Sequence, residues 1–237
     1  RFWMNPQSNA STHSRQAVTS PIAGMRSQYC LRIQRNSGGS STGLMYFSTD
    51  LESSNAFACR GRKLTLSFYA RKGANFSQSN SQITSNVVTG TGTDQSLISG
   101  FTGGVNVLSQ NNTLTTSWQK FTHTTSSVLA STVNQIAVQF THSPAGTAGA
   151  DDYYYITGVQ LEVGDTDTEF EHRSYGEELA LCQRYYQYNP DHNYVMVSTK
   201  TDNGNVYYYG KDWLVPMRAA PTVTIGTNSN NGFGSVS

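Results

Sequence analysis

Leu64, Leu66, Phe68 and Ala70 alternate with Lys63, Thr65, Ser67 and Tyr69. A period of two sends every second side chain to the same side, so such a segment can only be a strand with one face in a core. The same alternation recurs at Tyr29, Leu31 and Ile33, and at Ile136, Val138 and Phe140. Weaker versions lie at 43–49, 81–89 and 105–110, and 15–19 can open the series. In 117–124, Trp118 and Phe121 stand three apart, so a flat strand sends them to opposite faces; Trp118 is read as core. Turn-rich stretches such as NSGGSST (36–42) separate the segments, and no βαβ alternation intervenes. Eight or nine short strands at this spacing predict an all-β fold, a two-sheet jelly-roll sandwich over 15–164. Residues 1–14 hold Trp3 and Pro6 without periodicity and read as a linker or arm.

The last strand carries its own irregularity. Val159, Leu161 and Val163 share one parity, and Tyr154 and Ile156 share the other. For both sets to face a core, one extra residue must be absorbed near Thr157–Gly158, as a bulge. A connector, 165–188, follows with a short helix over 176–186. Ser174 and Glu177 stand at capping-box spacing, and Leu179, Cys182 and Tyr186 recur along one face. So short a helix is marginal alone and needs something to dock on. Residues 189–237 then read as a second, smaller and incomplete β-unit, with strands at 194–198, 205–209 and 221–225. The chain opens on Arg1 and closes within a turn-like run, so a piece of a longer polypeptide is expected.

Composition narrows the function. Charged residues make up 13% against about 25% in an average chain, and the polar remainder of Ser, Thr, Asn, Gln and Gly suits strands and turns. With 16 basic and 15 acidic residues the net charge is +1, which draws the chain toward neither nucleic acid nor an anionic membrane. Arg60–Lys63 and Arg71–Lys72 flank the strand at 64–70 and read as its solvated ends. No apolar run approaches the length of a membrane span, so no membrane insertion is expected. Cys30, Cys59 and Cys182 lack C-x-x-C spacing and read as buried or edge thiols. The five histidines are scattered, no H-E-x-x-H or G-x-S-x-G stands in the chain, and the acids between Asp151 and Glu171 read as solvated loop carboxylates. No catalytic residue, metal or cofactor is expected.

The run G-V-Q-L-E-V-G (158–164), followed by F-E-H-R-S-Y-G-E-E-L-A-L-C-Q-R-Y-Y (170–186), resembles the closing signature of a group of bacteriophage tail-fibre and other virion structural proteins. Upstream, RGRKLTLSFYARKGANFS (60–77) and VTGTGTDQ (88–95) are similar to the same group. The resemblance spans 29 to 186. It implies a domain like the jelly-roll carbohydrate-binding modules, in a virion tail or fibre that is extracellular when assembled. It further implies a homotrimer, other virion tail proteins as neighbours, and a glycan or receptor on the host surface as the target of adsorption. Many carbohydrate-binding jelly rolls hold calcium through acids before the apolar pair of the last strand. Thr157 and Gly158 stand there instead, so Asp151, Asp152, Asp165 and Asp167 are not expected to bind a metal.

Sugar rings stack on aromatic faces while amides and hydroxyls bond their rims. Nine of the 14 tyrosines cluster at 153–155, 185–188 and 207–209. Because three consecutive tyrosines cannot all face a core, Tyr207 and Tyr209, with Trp213, are the candidate ligand-binding residues. The competing expectation is a carbohydrate-binding module appended to a secreted glycoside hydrolase.

Overall fold

The two alternating runs that most strongly predict strands, at 64–70 and 136–140, lie at the centres of two facing sheets in the computed structural model. It describes residues 2–5, 11–188, 195–201, 204–210, 214–220 and 222. The chain divides into two compact units, Arg1–Glu171 and His172–Ser237. In the first, the strands are β1 (Phe2–Asn5), β2 (Ser11–Ala17), β3 (Tyr29–Arg35), β4 (Met45–Asp50), β5 (Leu64–Lys72), β6 (Gln82–Gly90), β7 (Val105–Thr113), β8 (Gln119–Thr124), β9 (Gln135–His142) and β10 (Tyr153–Val163). One short helix, α1 (Ser53–Ala56), follows β4.

The strands pair antiparallel in two sheets, β1-β4-β9-β6-β7 and β2-β3-β10-β5-β8. The eight strands β3 to β10 fall as 3-10-5-8 facing 4-9-6-7, which is the jelly-roll order. The strands β1 and β2 add one edge to each sheet. Within the expected arm, residues 2–5 form β1 and residues 11–14 begin β2. The polar sequence STHSRQA hides the period of β2, because an edge strand needs little apolar surface.

Between the sheets, Leu64, Leu66 and Phe68 meet Ile83, Val87, Ile136, Val138 and Phe140, all buried. The Phe68 ring lies edge-on to Phe140 at 4.9 Å and stacks on Phe121 at 5.3 Å. The bulge also falls where parity requires it. In β10, Thr157 pairs with Tyr69 and Gln160 with Ser67, so three residues' advance on β10 matches two on β5. Gly158 takes the positive φ of +58°. This returns Leu161 to the core side after Tyr154 and Ile156.

One end of the sandwich is tied by Arg35. Its Nη1 donates to Asp152 Oδ2 at 2.9 Å and to Ser77 Oγ at 3.0 Å. Its Nη2 donates to the carbonyls of Gly39, Ser41 and Gly146 at 2.9, 2.8 and 3.0 Å. Asp152 in turn accepts from the Ser77 backbone N–H at 3.0 Å and hydroxyl at 2.8 Å. Both charged side chains are almost fully buried, at 2% and 1% exposure. Asp152 is thus not a solvated loop acid, although Asp151 beside it is exposed.

In the second unit, helix α2 (Tyr175–Gln183) carries the expected capping box. The Glu177 N–H donates to Ser174 Oγ at 3.3 Å, and the Ser174 N–H donates to Glu177 Oε2 at 3.0 Å. The Ser174 hydroxyl, which donates to the same oxygen at 2.9 Å, and then the Ser174 N–H hold the Glu177 carboxyl below its usual range. Leu179, Leu181 and Tyr186 are exposed. The strands β11 (Val195–Thr201) and β12 (Gly204–Gly210) form a hairpin. The strand expected at 221–225 lies outside the described residues.

Candidate functional site

Each sheet turns one face inward and one outward, and the two outward faces differ. On the β4-β9-β6-β7 sheet, outward amides and hydroxyls of β6 and β7 bond one another across the strands. Thr84 Oγ1 donates to Asn111 Oδ1 at 2.8 Å, and Gln82 Nε2 donates to Thr113 Oγ1 at 3.0 Å. The outward face of the other sheet is aromatic and cationic.

Cross-strand register builds that second face. Tyr155 on β10 lies opposite Arg32 on β3 and opposite Arg71 on β5. Directly paired residues share a face, so Arg32, Tyr155 and Arg71 form one row. Its ends are two strand spacings, about 10 Å, apart. The Arg71 guanidinium carbon lies 4.7 Å from the Tyr155 ring centre and 5.2 Å from that of Trp118. Arg32 approaches the Tyr153 ring at 5.8 Å, and the rings of Tyr153 and Tyr155 are 4.8 Å apart. Burial first, then the neighbouring Tyr155 hydroxyl, pushes the Tyr153 phenol up from its ordinary value. The Arg32 and Arg71 Nε atoms are buried without a hydrogen-bond partner, and among the described residues neither side chain pairs with a carboxylate.

The connection from β2 to β3 covers one side of this face. Trp118 Nε1 donates to the Thr19 carbonyl at 3.0 Å, and Arg71 Nη2 donates to Thr19 Oγ1 at 3.1 Å. Met25 packs with Cys30, Tyr69 and Trp118 into a small buried cluster. Trp118 and Phe121 do point to opposite faces, but Trp118 lies in this outer cluster and not between the sheets. At 4% exposure it is a floor beneath Arg71 and cannot itself receive a ring. Tyr153, Tyr155, Arg32 and Arg71 remain half-buried. Gly73 hems Tyr153 in: its N–H donates to the Tyr153 carbonyl at 2.8 Å, and a Cβ there would come within 2.9 Å of the ring.

Of the sequence candidates, Tyr207 and Tyr209 lie on β12 opposite Ser198 and Met196. Trp213 lies outside the described residues. Arg71, read from sequence as a solvated strand end, is instead packed over two aromatic rings. The tyrosines at 153–155 are one of three clusters visible in the sequence, whereas the residues singled out from it lie elsewhere; the arginines beside 153–155 are evident only once the strands are paired. Among the acids, Asp167 forms an ion pair with Lys120, and that contact holds the Asp167 carboxyl below its ordinary value. Cys30 and Cys59 are buried free thiols, pushed up by burial, and Cys182 is a free exposed one.

Fold and site together define a jelly-roll sandwich with a cation–aromatic patch on one exposed sheet face. No family model and no curated protein matches the chain. Solved structures do. The enzymatically active domain of tailspike protein 4 from bacteriophage CBA120 is similar at 11% identity and a TM-score of 0.45, over 69% of this chain. That match spans 19% of the tailspike chain. A family-4 carbohydrate-binding module (CBM4) is similar at 18% identity and a TM-score of 0.41, over 68% of this chain and 84% of the module. A cyclase from Fischerella sp. TAU is similar at 11% identity and a TM-score of 0.47, over 70% and 86%.

Proposed function

We propose that this chain is a non-enzymatic structural component of a phage virion, a tail-fibre or receptor-binding protein whose sandwich engages glycan on the host surface. The observation that carries the reading is the row Arg32–Tyr155–Arg71 with Tyr153 beside it. It sets half-buried aromatic rings beside two guanidinium groups on the outward sheet face, an apolar surface and hydrogen-bond donors of the kind a sugar ring uses. The resemblance of 158–186 to virion proteins supplies the setting. In that setting the protein is a homotrimer among other tail proteins, extracellular once assembled, and needs no metal, cofactor, nucleic acid or membrane insertion. The exposed apolar side chains of α2 support self-association. Tyr207, Tyr209 and Trp213 are proposed as a further glycan contact.

A glycan array probed with the purified protein, and with Tyr153→Ala plus Tyr155→Ala, tests the site. Binding that disappears in the variant, while the variant melts cooperatively, is the expected result; unchanged binding refutes the site. Mass in solution tests the setting. A trimer that persists on dilution supports the fibre, and a monomer with sugar affinity supports the appended module instead.

A further inference from the structure

Two features of the patch exceed what a neutral sugar needs. It carries two guanidinium groups, and neither is neutralised. Elsewhere in the first unit Arg35 pairs with Asp152, Arg26 with Glu169 and Lys120 with Asp167, while Arg15, Arg60, Arg62, Lys63 and Lys72 pair with no carboxylate among the described residues. Arg32 and Arg71 pair with no carboxylate among the described residues, although they are half-buried and their Nε atoms are shut off from solvent. Partial burial of a charge without a counter-ion is costly. Stacking on Tyr153, Tyr155 and Trp118 offsets part of that cost. It does not use the remaining in-plane donors of the guanidinium forks. The nearby acid on the rim, Asp151, lies within electrostatic reach of Tyr153 and bonds neither arginine.

We infer that the glycan taken by this face is acidic: a sugar whose carboxylate lies between Arg32 and Arg71 while its ring packs against the Tyr153–Tyr155 pair. About 10 Å separates the two strands that carry the arginines, and each side chain is long enough to reach inward over the intervening tyrosine. Planar, weakly hydrated guanidinium forks suit carboxylates. The Arg71 Nη2 bond to Thr19 and the stacking beneath it fix one fork in advance, so little ordering is needed on binding. This inference rests on the glycan reading above and names the substrate class within it.

The test presents uronic- and sialic-acid glycans beside the same glycans with their carboxyl groups reduced to alcohols, at 0.05 and 0.5 M salt (about 14 and 4 Å screening length). The expected result is binding to the acidic members alone, weakened by the higher salt. In Arg32→Gln plus Arg71→Gln binding should weaken about tenfold or more, the loss of one charge-assisted bond or better. Arg71→Lys, which keeps the charge but loses the fork, should fall between. Equal binding to acidic and reduced members overturns the acidic inference and leaves the glycan reading in place. Binding to neither overturns both. Should the double variant misfold, the salt dependence and the acidic–reduced comparison on the unaltered protein still decide the matter.

Discussion

Asp152→Asn is the substitution from which the sandwich should suffer most for the least change in shape. The carboxylate is almost fully buried and accepts from Arg35, from the Ser77 hydroxyl and from the Ser77 N–H. An asparagine can keep an acceptor toward one of these donors, but its NH2 then faces another, and Arg35 is left charged without a counter-ion. Removing one partner of a buried pair costs about 3–5 kcal/mol. Three backbone carbonyls still hold Arg35, which puts the expected loss near the lower end, at about 3 kcal/mol. Arg35→Met should cost about as much, because it leaves Asp152 as an uncompensated carboxylate in the interior. The double variant Arg35→Met, Asp152→Leu should stay destabilised, because it also removes the bonds made to the Ser77 N–H, the Ser77 hydroxyl and the Ser41 carbonyl. A simple ion pair replaced by apolar residues would recover. Urea unfolding of the full chain, followed by tryptophan fluorescence and far-UV circular dichroism, measures all three. A loss below about 1 kcal/mol for Asp152→Asn, or a double variant as stable as the unaltered protein, would refute the claim that this network closes the end of the sandwich.

Further outcomes follow from neighbouring features. Burial between Phe76 and Tyr154 lowers the His142 pKa from 6.5 to about 4, so the native ring is neutral at pH values where the unfolded chain binds a proton. Its contribution is therefore intact above pH 6.5 and lost as pH falls to 4, by about 3 kcal/mol in all; His142→Phe should flatten that part of the pH–stability curve, and an unchanged slope would contradict the assignment. Gly158→Ala should cost about 1–2 kcal/mol, since its φ is +58° and the new Cβ would lie 3.1 Å from Tyr69; a neutral melting temperature would deny the bulge. Leu66→Asp should abolish folding by placing an unpaired charge between the sheets, and soluble, fully folded protein would contradict the strand assignment. Joint Tyr207→Ala and Trp213→Ala should reduce host adsorption; unchanged adsorption would remove those residues from the contact surface.

What could be read from the sequence was whatever is encoded locally. The strand at Leu64–Lys72 announces itself because Leu66 and Phe68 need a core on one side. The bulge at Gly158 is visible as a change of parity, and the helix cap as Ser174 with Glu177. The strands β2 and β7 extend beyond what their sequences reveal, because edge strands such as STHSRQA and VNVLSQNNT carry polar residues on both sides. The site was hidden for a different reason. Arg32 and Arg71 are 39 positions apart and become neighbours of Tyr155 only through the β3-β10-β5 pairing. The partners Arg35 and Asp152 are separated by 117 positions, and nothing near either one marks it as buried. Register over such distances is a property of the assembled sheets, so a local pattern suggests the tyrosines at 153–155 and not the cations that complete them.

The claim on which the functional account turns is that ligand meets the outward face of the β3-β10-β5 sheet. Backbone amide resonances followed by NMR during titration with the strongest binder from the glycan array would locate that contact directly. Saturable shifts centred on Arg32, Arg71, Tyr153 and Tyr155 are the expected result. Shifts confined to the amide-rich face around Thr84 and Asn111, or to the β11–β12 hairpin, would contradict it.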